Sequence, residues 1–241
     1  MQQGRFCFMR PDQRPPNRLL QMLPAADFES ARPHLEVVEL KRETVLVEAG
    51  QRLNQVWLPH SGVVSLVVSL SQGQAVEVAM IGCDGIVGAP EVMCDGIALT
   101  DAVVLCPGAA SVLSATDMNT LAGQSVAWRH LLARHHQALL AQAQQSVACN
   151  ASHSVEERLA RWLLRTYELW QGETLPMTQE MLARMLGVQR NAVSIVAHAL
   201  QQSGVIRYSR GQIEIIDLAA LRKTACECYV VAKGKQDDLL K

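Results

Sequence analysis

Residues 174–217 read TLPMTQEMLARMLGVQRNAVSIVAHALQQSGVIRYSRGQIEIID, and their pattern predicts the architecture of the last third of the chain. Thr178 is a good N-cap for a short amphipathic helix that ends at Gly187. A second amphipathic helix begins at Gln189, and two alternating strands follow around a turn at residues 209–211. Two short helices joined by a Gly-containing turn and followed by a hairpin predict a winged helix-turn-helix.

The second helix of this segment has a polar face that suits DNA. Gln, Arg and Asn side chains form paired hydrogen bonds with base edges in the major groove, and here they cluster at the helix N-terminus, the end that points into the groove. Arginines near the tip of the hairpin predict contacts with the DNA backbone, which hold position without reading sequence. The candidate DNA-binding residues from this pattern are Gln189, Arg190, Asn191, Ser194, His198, Arg207 and Arg210.

Residues 36–115 have a different sequence pattern, with short Val-rich runs such as VVSLVVSL and AVEVAMIG at close, regular intervals. Strands of this length and spacing predict an antiparallel all-β sandwich or barrel. The run CDGIVGAP is counted among the strand candidates. The tetrapeptide SQGQ at residues 71–74 predicts a tight hairpin in which Gly73 supplies a positive φ.

Residues 117–150 are poor in Gly and Pro and predict one helix of about 30 residues, about 45 Å long. A heptad pattern gives this helix a narrow, partly polar seam, which is typical of a helix that pairs with a second chain. The alternative is a helix that lies on the β domain of its own chain. The candidate dimer-interface residues are Trp128, Leu132, His135 and Leu139.

The order of β domain, long helix, linker helix, helix-turn-helix and wing resembles the Crp/Fnr superfamily of bacterial transcription regulators. The resemblance rests most on TQEMLARMLGVQRNAVSIVAHALQQSGVIRYSRGQIEI and less specifically on VWLPHSGVVSLVV and VAMIGCDGIVG. It implies an α+β fold with an N-terminal antiparallel β-roll, which is cupin-like and similar to cyclic nucleotide-binding domains. The predicted organisation is a flexible arm over residues 1–18, a β-roll sensor over 19–116, a dimerisation helix over 117–150 and a winged helix-turn-helix DNA-binding domain over 151–241.

The same resemblance implies a sequence-specific, DNA-binding transcription regulator that acts as a homodimer on a near-palindromic operator. The β-roll would sense a signal, and RNA polymerase would be a further partner. By match to the family's motif, Thr178 and Gln189 contact phosphate. The positions that choose bases are Arg190, Asn191, Ser194 and Ile195.

Two of these positions depart from the best-known family members. Asn191 stands where those members have an acidic residue, and Ile195 stands where they have an arginine. An isoleucine can only touch apolar edges such as a thymine methyl, whereas a guanidinium reads guanine. We therefore predict an operator that differs from the usual cyclic-AMP receptor half-site.

The effector is a second point of departure. Cyclic-nucleotide members present an Arg-Ser pair to the phosphate, but residues 82–104, GCDGIVGAPEVMCDGIALTDAVV, contain no Arg or Lys. A buried phosphate without a cation would be poorly compensated. Cyclic AMP is therefore not the expected ligand, and the effector stays unknown.

The seven cysteines are scattered and odd in number, which favours reduced thiols over a disulfide framework. Cys226 and Cys228 lie two positions apart in a predicted helix, which would point their thiols to different sides. We therefore predict no metal site and no cofactor. Only Cys7 lies where the iron–sulfur members of the family carry a cysteine cluster, so no such cluster is expected. A thiol- or metal-based redox-sensing regulator stays open as an alternative, and it would use Cys83, Cys94, Cys106 or the pair Cys226 and Cys228.

Composition limits the class of protein to which this chain can belong. The 241 residues are 49% hydrophobic and 19% charged, as in an ordinary globular protein with two domains. Residues 152–241 hold 12 basic and 10 acidic residues, whereas residues 1–151 hold 10 and 13, so the predicted DNA-binding part is the more positive. The sequence offers no signal-peptide core, membrane span or catalytic motif, so we expect a cytoplasmic protein that is not an enzyme and has no membrane partner. The other alternative is a ligand-binding signalling module that contacts protein.

Overall fold

The structure is a computed structural model that describes residues 14–71, 74–170 and 172–241; Cys7 and Gly73 lie outside these ranges. Among the described residues, no helix combines the length and the apolar composition that a bilayer span requires. The strands are β1 (Glu36–Leu40), β2 (Val45–Val47), β3 (Gln55–Pro59), β4 (Val63–Ser69), β5 (Ala75–Ile81), β6 (Asp101–Cys106), β7 (Gly108–Ser114), β8 (Ile206–Ser209) and β9 (Gln212–Ile215). The helices are α1 (Arg18–Met22), α2 (Ala25–Ala31), α3 (Ala89–Val92), α4 (Ala115–Gln124), α5 (Val126–Ser152), α6 (Val155–Trp170), α7 (Gln179–Leu186), α8 (Arg190–Gln202), α9 (Leu218–Thr224) and α10 (Cys228–Leu239).

Two antiparallel sheets form the N-terminal β domain. One has the strand order β1-β7-β3, and the other has the order β2-β6-β4-β5. Leu58 and Leu113 of the first sheet and Val64 and Val104 of the second are fully buried in one core, to which α1 and α2 also contribute. Burial of alternate side chains from both sheets is the main source of stability for such a domain. The predicted α+β fold with an N-terminal antiparallel β-roll is confirmed.

The run CDGIVGAP, expected as a strand, forms turns and the short helix α3 instead. Gly88 has a φ of +85°, a left-handed conformation that favours glycine. A Cβ at this position would also clash with the side chain of Leu53. Pro90 follows in the first turn of α3, where its missing N–H costs nothing. The glycines and the proline of this run are therefore turn and helix-start residues.

The flexible arm predicted over residues 1–18 extends too far, because the chain is already packed at the residue before α1. Asn17 is fully buried. Its Oδ1 accepts hydrogen bonds from two N–H groups in the first turn of α1. Its Nδ2 donates to the carbonyl oxygens of Pro59, at 3.0 Å, and Gly85, at 2.9 Å. A buried amide whose donors and acceptor are all hydrogen-bonded anchors this segment on the β domain.

The single helix predicted over residues 117–150 is two helices, α4 and α5, which meet at Ser125. Ser125 has an extended backbone, and its Oγ accepts a hydrogen bond from the N–H of Trp128 at 3.1 Å. Serine is strongly preferred at the N-cap, so Ser125 begins α5 and does not continue α4. The second helix then runs to Ser152, beyond its predicted end.

Three of the four predicted dimer-interface residues face the β domain of their own chain. Trp128 is fully buried, Leu132 is 6% exposed and His135 is 2% exposed. The Nε2 atom of His135 lies 2.8 Å from the carbonyl oxygen of Ile86, and burial lowers the pKa of this histidine. Leu139 is half-buried against the same core. The assignment of these residues to an exposed seam is therefore wrong, because a helix packed on a sheet produces the same narrow stripe as a helix pair.

The C-terminal helices fold back on the long helix. The helix expected over residues 218–233 is interrupted at residues 225–227, which gives α9 and α10. After this turn α10 packs along α5. Cys226 lies in the turn, so its thiol and that of Cys228 approach the same group of side chains. The expectation that these thiols point to different sides is wrong, because the two residues do not share a helix.

Candidate DNA-binding surface

Helices α7 and α8 form the predicted helix-turn-helix. The hydroxyl of Thr178 accepts a hydrogen bond from the N–H of Met181 at 3.1 Å and so caps the start of α7. Gly187 ends α7 with a φ of +63°, and this left-handed residue allows the tight turn into α8. One side of each helix packs into a common core with α6 and the β8–β9 hairpin. The buried residues of this core include Leu182, Leu186, Val193, Leu200 and Ile213.

The opposite side of α8 is exposed and mostly polar. Arg190 and Asn191 occupy its first turn, and Gln189 directly precedes it; all three side chains are exposed. Ile195 lies one turn further on and is 72% exposed, and His198 follows on the same exposed side. Such exposure gives the isoleucine no role in the core. It leaves the side chain free for an apolar contact outside the chain, such as one with a thymine methyl.

Ser194 differs from these residues because its hydroxyl already has partners within the chain. Its Oγ lies 2.7 Å from Oε1 of Gln179, at the start of α7, and 3.1 Å from the carbonyl oxygen of Arg190. The side chain is only half-exposed. The serine therefore joins the two helices of the motif, and a contact with DNA would have to share or replace these hydrogen bonds.

The hairpin of β8 and β9 is the predicted wing. Arg207 pairs across the two strands with Glu214, with 2.6 Å between Nη1 and Oε2. This carboxylate offsets much of the charge that Arg207 would present to phosphate. Arg210 is exposed at the tip, where it has a φ of +50°, and Gly211 beside it has a φ of +74°. Of the two arginines, Arg210 is thus the better placed to contact a DNA backbone.

Short contacts place the wing tip beside the start of α7. A Cβ on Gly211 would lie 3.4 Å from Cγ2 of Thr178. The hydrogen bond between Ser194 and Gln179 in turn joins α8 to the same end of α7. We call the resulting exposed area the reading surface. It comprises Thr178, Gln189, Arg190, Asn191, Ser194, Ile195, His198 and Arg210.

Two family models match the chain in the order of its two domains. Residues 37–125 match the cyclic nucleotide-binding domain, and residues 157–224 match the Crp-like helix-turn-helix domain. The chain belongs to the Crp/Fnr family. Its members are transcription regulators, and the pairing of these two domains makes this chain a Crp/Fnr-type regulator with a sensing domain and a DNA-binding domain.

Solved structures of Crp/Fnr regulators share this fold. A putative regulator of the family from Eubacterium rectale gives a TM-score of 0.67 at 17% identity, over 86% of this chain and 96% of its own. FixK2 from Bradyrhizobium japonicum gives 0.67 at 16% identity, over 80% and 98%. The regulator CLP from Xanthomonas campestris, which is described as responsive to c-di-GMP, gives 0.66 at 15% identity, over 80% and 100%. No curated protein matches the chain by sequence.

The sensing domain of this Crp/Fnr regulator has little positive charge around α3. Residues 82–104 contain no Arg or Lys. Arg52 reaches the segment from outside, and its Nη1 donates to the backbone carbonyl of Asp95 at 3.0 Å. Within the domain, His60 Nε2 lies 2.8 Å from the Ser111 hydroxyl, and burial lowers the pKa of His60 to about 4. This histidine is therefore neutral at physiological pH and adds no charge for an anionic ligand.

A group of buried polar residues between the two domains was not predicted from sequence. Asp84 lies in the turn after β5, Arg165 lies on α6 and Gln236 lies on α10. Nε2 of Gln236 donates to Oδ2 of Asp84 at 2.7 Å, while Nη2 of Arg165 lies 2.9 Å from Oε1 of Gln236. The only sequence signal is the acidic residue within the GCDG turn, because its partners lie far away along the chain.

Proposed function

We propose that this Crp/Fnr regulator binds a near-palindromic operator as a homodimer and reads it through the reading surface. The observation that carries the proposal is the exposure of Arg190 and Asn191 on the first turn of α8, because side chains at this end of a recognition helix meet base edges. In this proposal Thr178 and Gln189 contact phosphate. The residues that choose bases are Arg190, Asn191, Ser194 and Ile195, with His198, Arg207 and Arg210 as flanking contacts.

A different face of α5 supports dimerisation. Val126 is 57% exposed, Leu140 is 51% exposed and Val147 is 70% exposed. Together with the exposed Ala133, these residues recur every seven positions along an exposed side of α5. Apolar residues at heptad spacing on an exposed helix are typical of a helix that pairs with a second copy. We name this row the α5 seam and propose it as the dimer contact.

The sensing domain, in this proposal, responds to a small molecule other than cyclic AMP. The support is the lack of a cation in residues 82–104, because a buried phosphate needs a charged partner or a nest of amides. A calorimetric titration of the purified protein with cyclic AMP is expected to show no binding in the micromolar range. Micromolar affinity would overturn this part of the proposal.

Three further expectations concern the compartment, catalysis and RNA polymerase. The protein would act in the cytoplasm, would have no catalytic activity of its own, and would meet RNA polymerase on the promoter. The functional division that we propose is a β-roll sensor that ends at Ser114, the connecting helices α4 and α5, and a DNA-binding domain from α6 onward.

A selection from random double-stranded DNA tests the proposed function. The full-length protein, at a stated salt concentration, should enrich a near-palindrome whose half-sites lie about one helical turn, roughly 10 base pairs, apart. Enrichment of no sequence would contradict DNA reading and would favour the alternative in which the C-terminal domain contacts protein. Enrichment of a single, non-repeated half-site would contradict the dimeric mode alone.

A further inference from the structure

Four metal-ligating side chains converge where the long helix meets the C-terminal helices. Cys149 and His153 come from the end of α5, and Cys226 and Cys228 come from the turn before α10 and its first residue. One ligand atom from each residue lies within 4.8 Å of the ligand atoms of the other three. The Sγ atoms of Cys149 and Cys226 are 3.5 Å apart, and Sγ of Cys228 is 3.6 Å from Nδ1 of His153.

Local structure explains why these side chains meet. Cys149 and His153 are four positions apart, so they lie above one another at the end of α5. His153 is the C-cap of this helix, which frees its ring to turn toward the thiols. Cys226 has left α9 and Cys228 begins α10, so the turn between these helices brings both thiols to the same place. Two segments 77 residues apart thereby supply two ligands each.

We infer that these three cysteines and the histidine bind one zinc ion in a tetrahedral site. With ordinary zinc–sulfur and zinc–nitrogen bond lengths, a tetrahedron places two sulfur ligands about 3.8 Å apart and a sulfur and a nitrogen about 3.6 Å apart. The separations of 3.5 Å and 3.6 Å are close to these values. Only a small movement of the four side chains is needed to close the site around an ion.

Neighbouring residues support the ligands in the way that metal sites require. Nε2 of His153 lies 3.2 Å from a carboxylate oxygen of Glu227, which leaves Nδ1 to face the thiols. A carboxylate on the far nitrogen orients a histidine ligand and raises its basicity. The side-chain amide of Gln145 donates to Sγ of Cys228 at 3.1 Å, and such a donor would stabilise the thiolate that a zinc ligand requires.

Burial shows which kind of zinc site this would be. The three cysteines are at most 5% exposed, and the side chain of His153 is 15% exposed. Four protein ligands without an open position define a structural rather than a catalytic site. The ion would fasten the turn before α10 to the end of α5, and α10 carries the Gln236 that bonds to Asp84 of the sensing domain. Zinc would thus hold the C-terminal helix in its place between the two domains.

Metal content and cobalt substitution test this inference on the full-length protein. Protein purified without chelator should contain one zinc per chain. After removal of the zinc under reducing conditions, titration with Co²⁺ should give the visible absorption of a tetrahedral thiolate site that saturates at one ion per chain. Cys226→Ser and His153→Gln should each retain less than about a tenth of the zinc. Cys94→Ser, at an exposed cysteine of the sensing domain, is the matched control and should bind as the wild type does.

Other outcomes would overturn the inference. Absence of zinc combined with no cobalt spectrum in the reduced wild-type protein would do so without any variant. A Cys149–Cys226 disulfide in protein purified without reductant, found by mass spectrometry together with failure of the reduced protein to bind zinc or cobalt, would assign the cluster to thiol redox chemistry instead. If Cys94→Ser lost the metal while Cys226→Ser and His153→Gln kept it, the ion would belong to another site.

Discussion

The carboxylate of Asp84 lies 2.5 Å from the guanidinium of Arg165, so a largely buried ion pair joins the sensing domain to α6 of the DNA-binding domain. The two side chains are 11% and 17% exposed. Burial alone would raise the pKa of Asp84, but the charge and hydrogen bond of Arg165 leave it below its ordinary value. The pair therefore links the turn after β5 to the helix that packs against the helix-turn-helix.

Breaking this pair should be costly, because it leaves a buried carboxylate without its partner. We expect Arg165→Ala to lower the free energy of unfolding by about 3–5 kcal/mol. Arg207→Ala breaks the exposed pair with Glu214 and should cost less than about 1 kcal/mol. Urea unfolding at neutral pH measures both losses. Equal losses would show that water solvates Asp84 and Arg165 as well as it does the wing pair.

Glu77 should make stability depend on pH in the direction opposite to that of a salt-bridged carboxylate. Burial raises its pKa to about 7, although the Ser65 hydroxyl lies 2.6 Å from its Oε2. The folded state therefore holds this proton more tightly than the unfolded state, so the contribution of Glu77 to stability falls as the pH rises from about 4.5 to about 7.

Glu77→Gln removes this titration. We expect the variant to be more stable than the wild type at about pH 8, on the order of 2 kcal/mol, and to lose this advantage near pH 4. Glu39→Gln, at an exposed position on β1, is the control. Thermal or urea unfolding across this pH range provides the measurement. A gain that does not change with pH would mean that Glu77 titrates outside this window.

The α5 seam predicts the effect of a charge on assembly. Leu140→Glu places a carboxylate in the middle of the proposed dimer contact and should shift the protein toward monomer at micromolar concentration. Leu99→Glu makes the same change at a leucine that is 79% exposed on the sensing domain, and it should leave the oligomeric state unchanged. Analytical ultracentrifugation distinguishes the two. A Leu140→Glu protein with the wild-type mass would place the dimer contact elsewhere.

Ile195 predicts how the operator differs from that of better-known relatives. The wild-type protein should prefer a base pair with a thymine methyl where a cyclic-AMP receptor reads guanine. Ile195→Arg should restore a guanine preference worth about 1–3 kcal/mol at that position. Random-sequence selections with both proteins supply the comparison. Recovery of the standard cyclic-AMP receptor half-site by the wild type would contradict the role given to this residue.

Local signals were sufficient for the helix-turn-helix and for the antiparallel character of the β domain. The cap at Thr178 and the left-handed glycine at Gly187 act within a few residues, so sequence alone could place α7 and α8. The same local reasoning failed at Trp128 and His135, because a helix that packs on its own domain and one that pairs with a second chain bury similar stripes.

The features that could not be predicted from sequence depend on contacts between residues far apart in the chain. Asp84 and Arg165 are separated by 81 residues, and no spacing in the chain indicates that they meet. The cysteine cluster had a partial signal, since Cys149 and His153 have helical i, i+4 spacing and Cys226 and Cys228 lie close together. Only the turn between α9 and α10 brings these two pairs into contact.

Affinity measurements with two arginine variants test whether α8 reads bases while the wing contacts the DNA backbone. On the selected operator and on single-base variants of it, Arg190→Ala should lose about 1–3 kcal/mol of discrimination at one position in each half-site. Arg210→Ala should weaken binding to all sequences alike and reduce the salt dependence by about one phosphate contact. Uniform losses of the same size for both variants, with base preference intact, would show that Arg190 on α8 does not read bases.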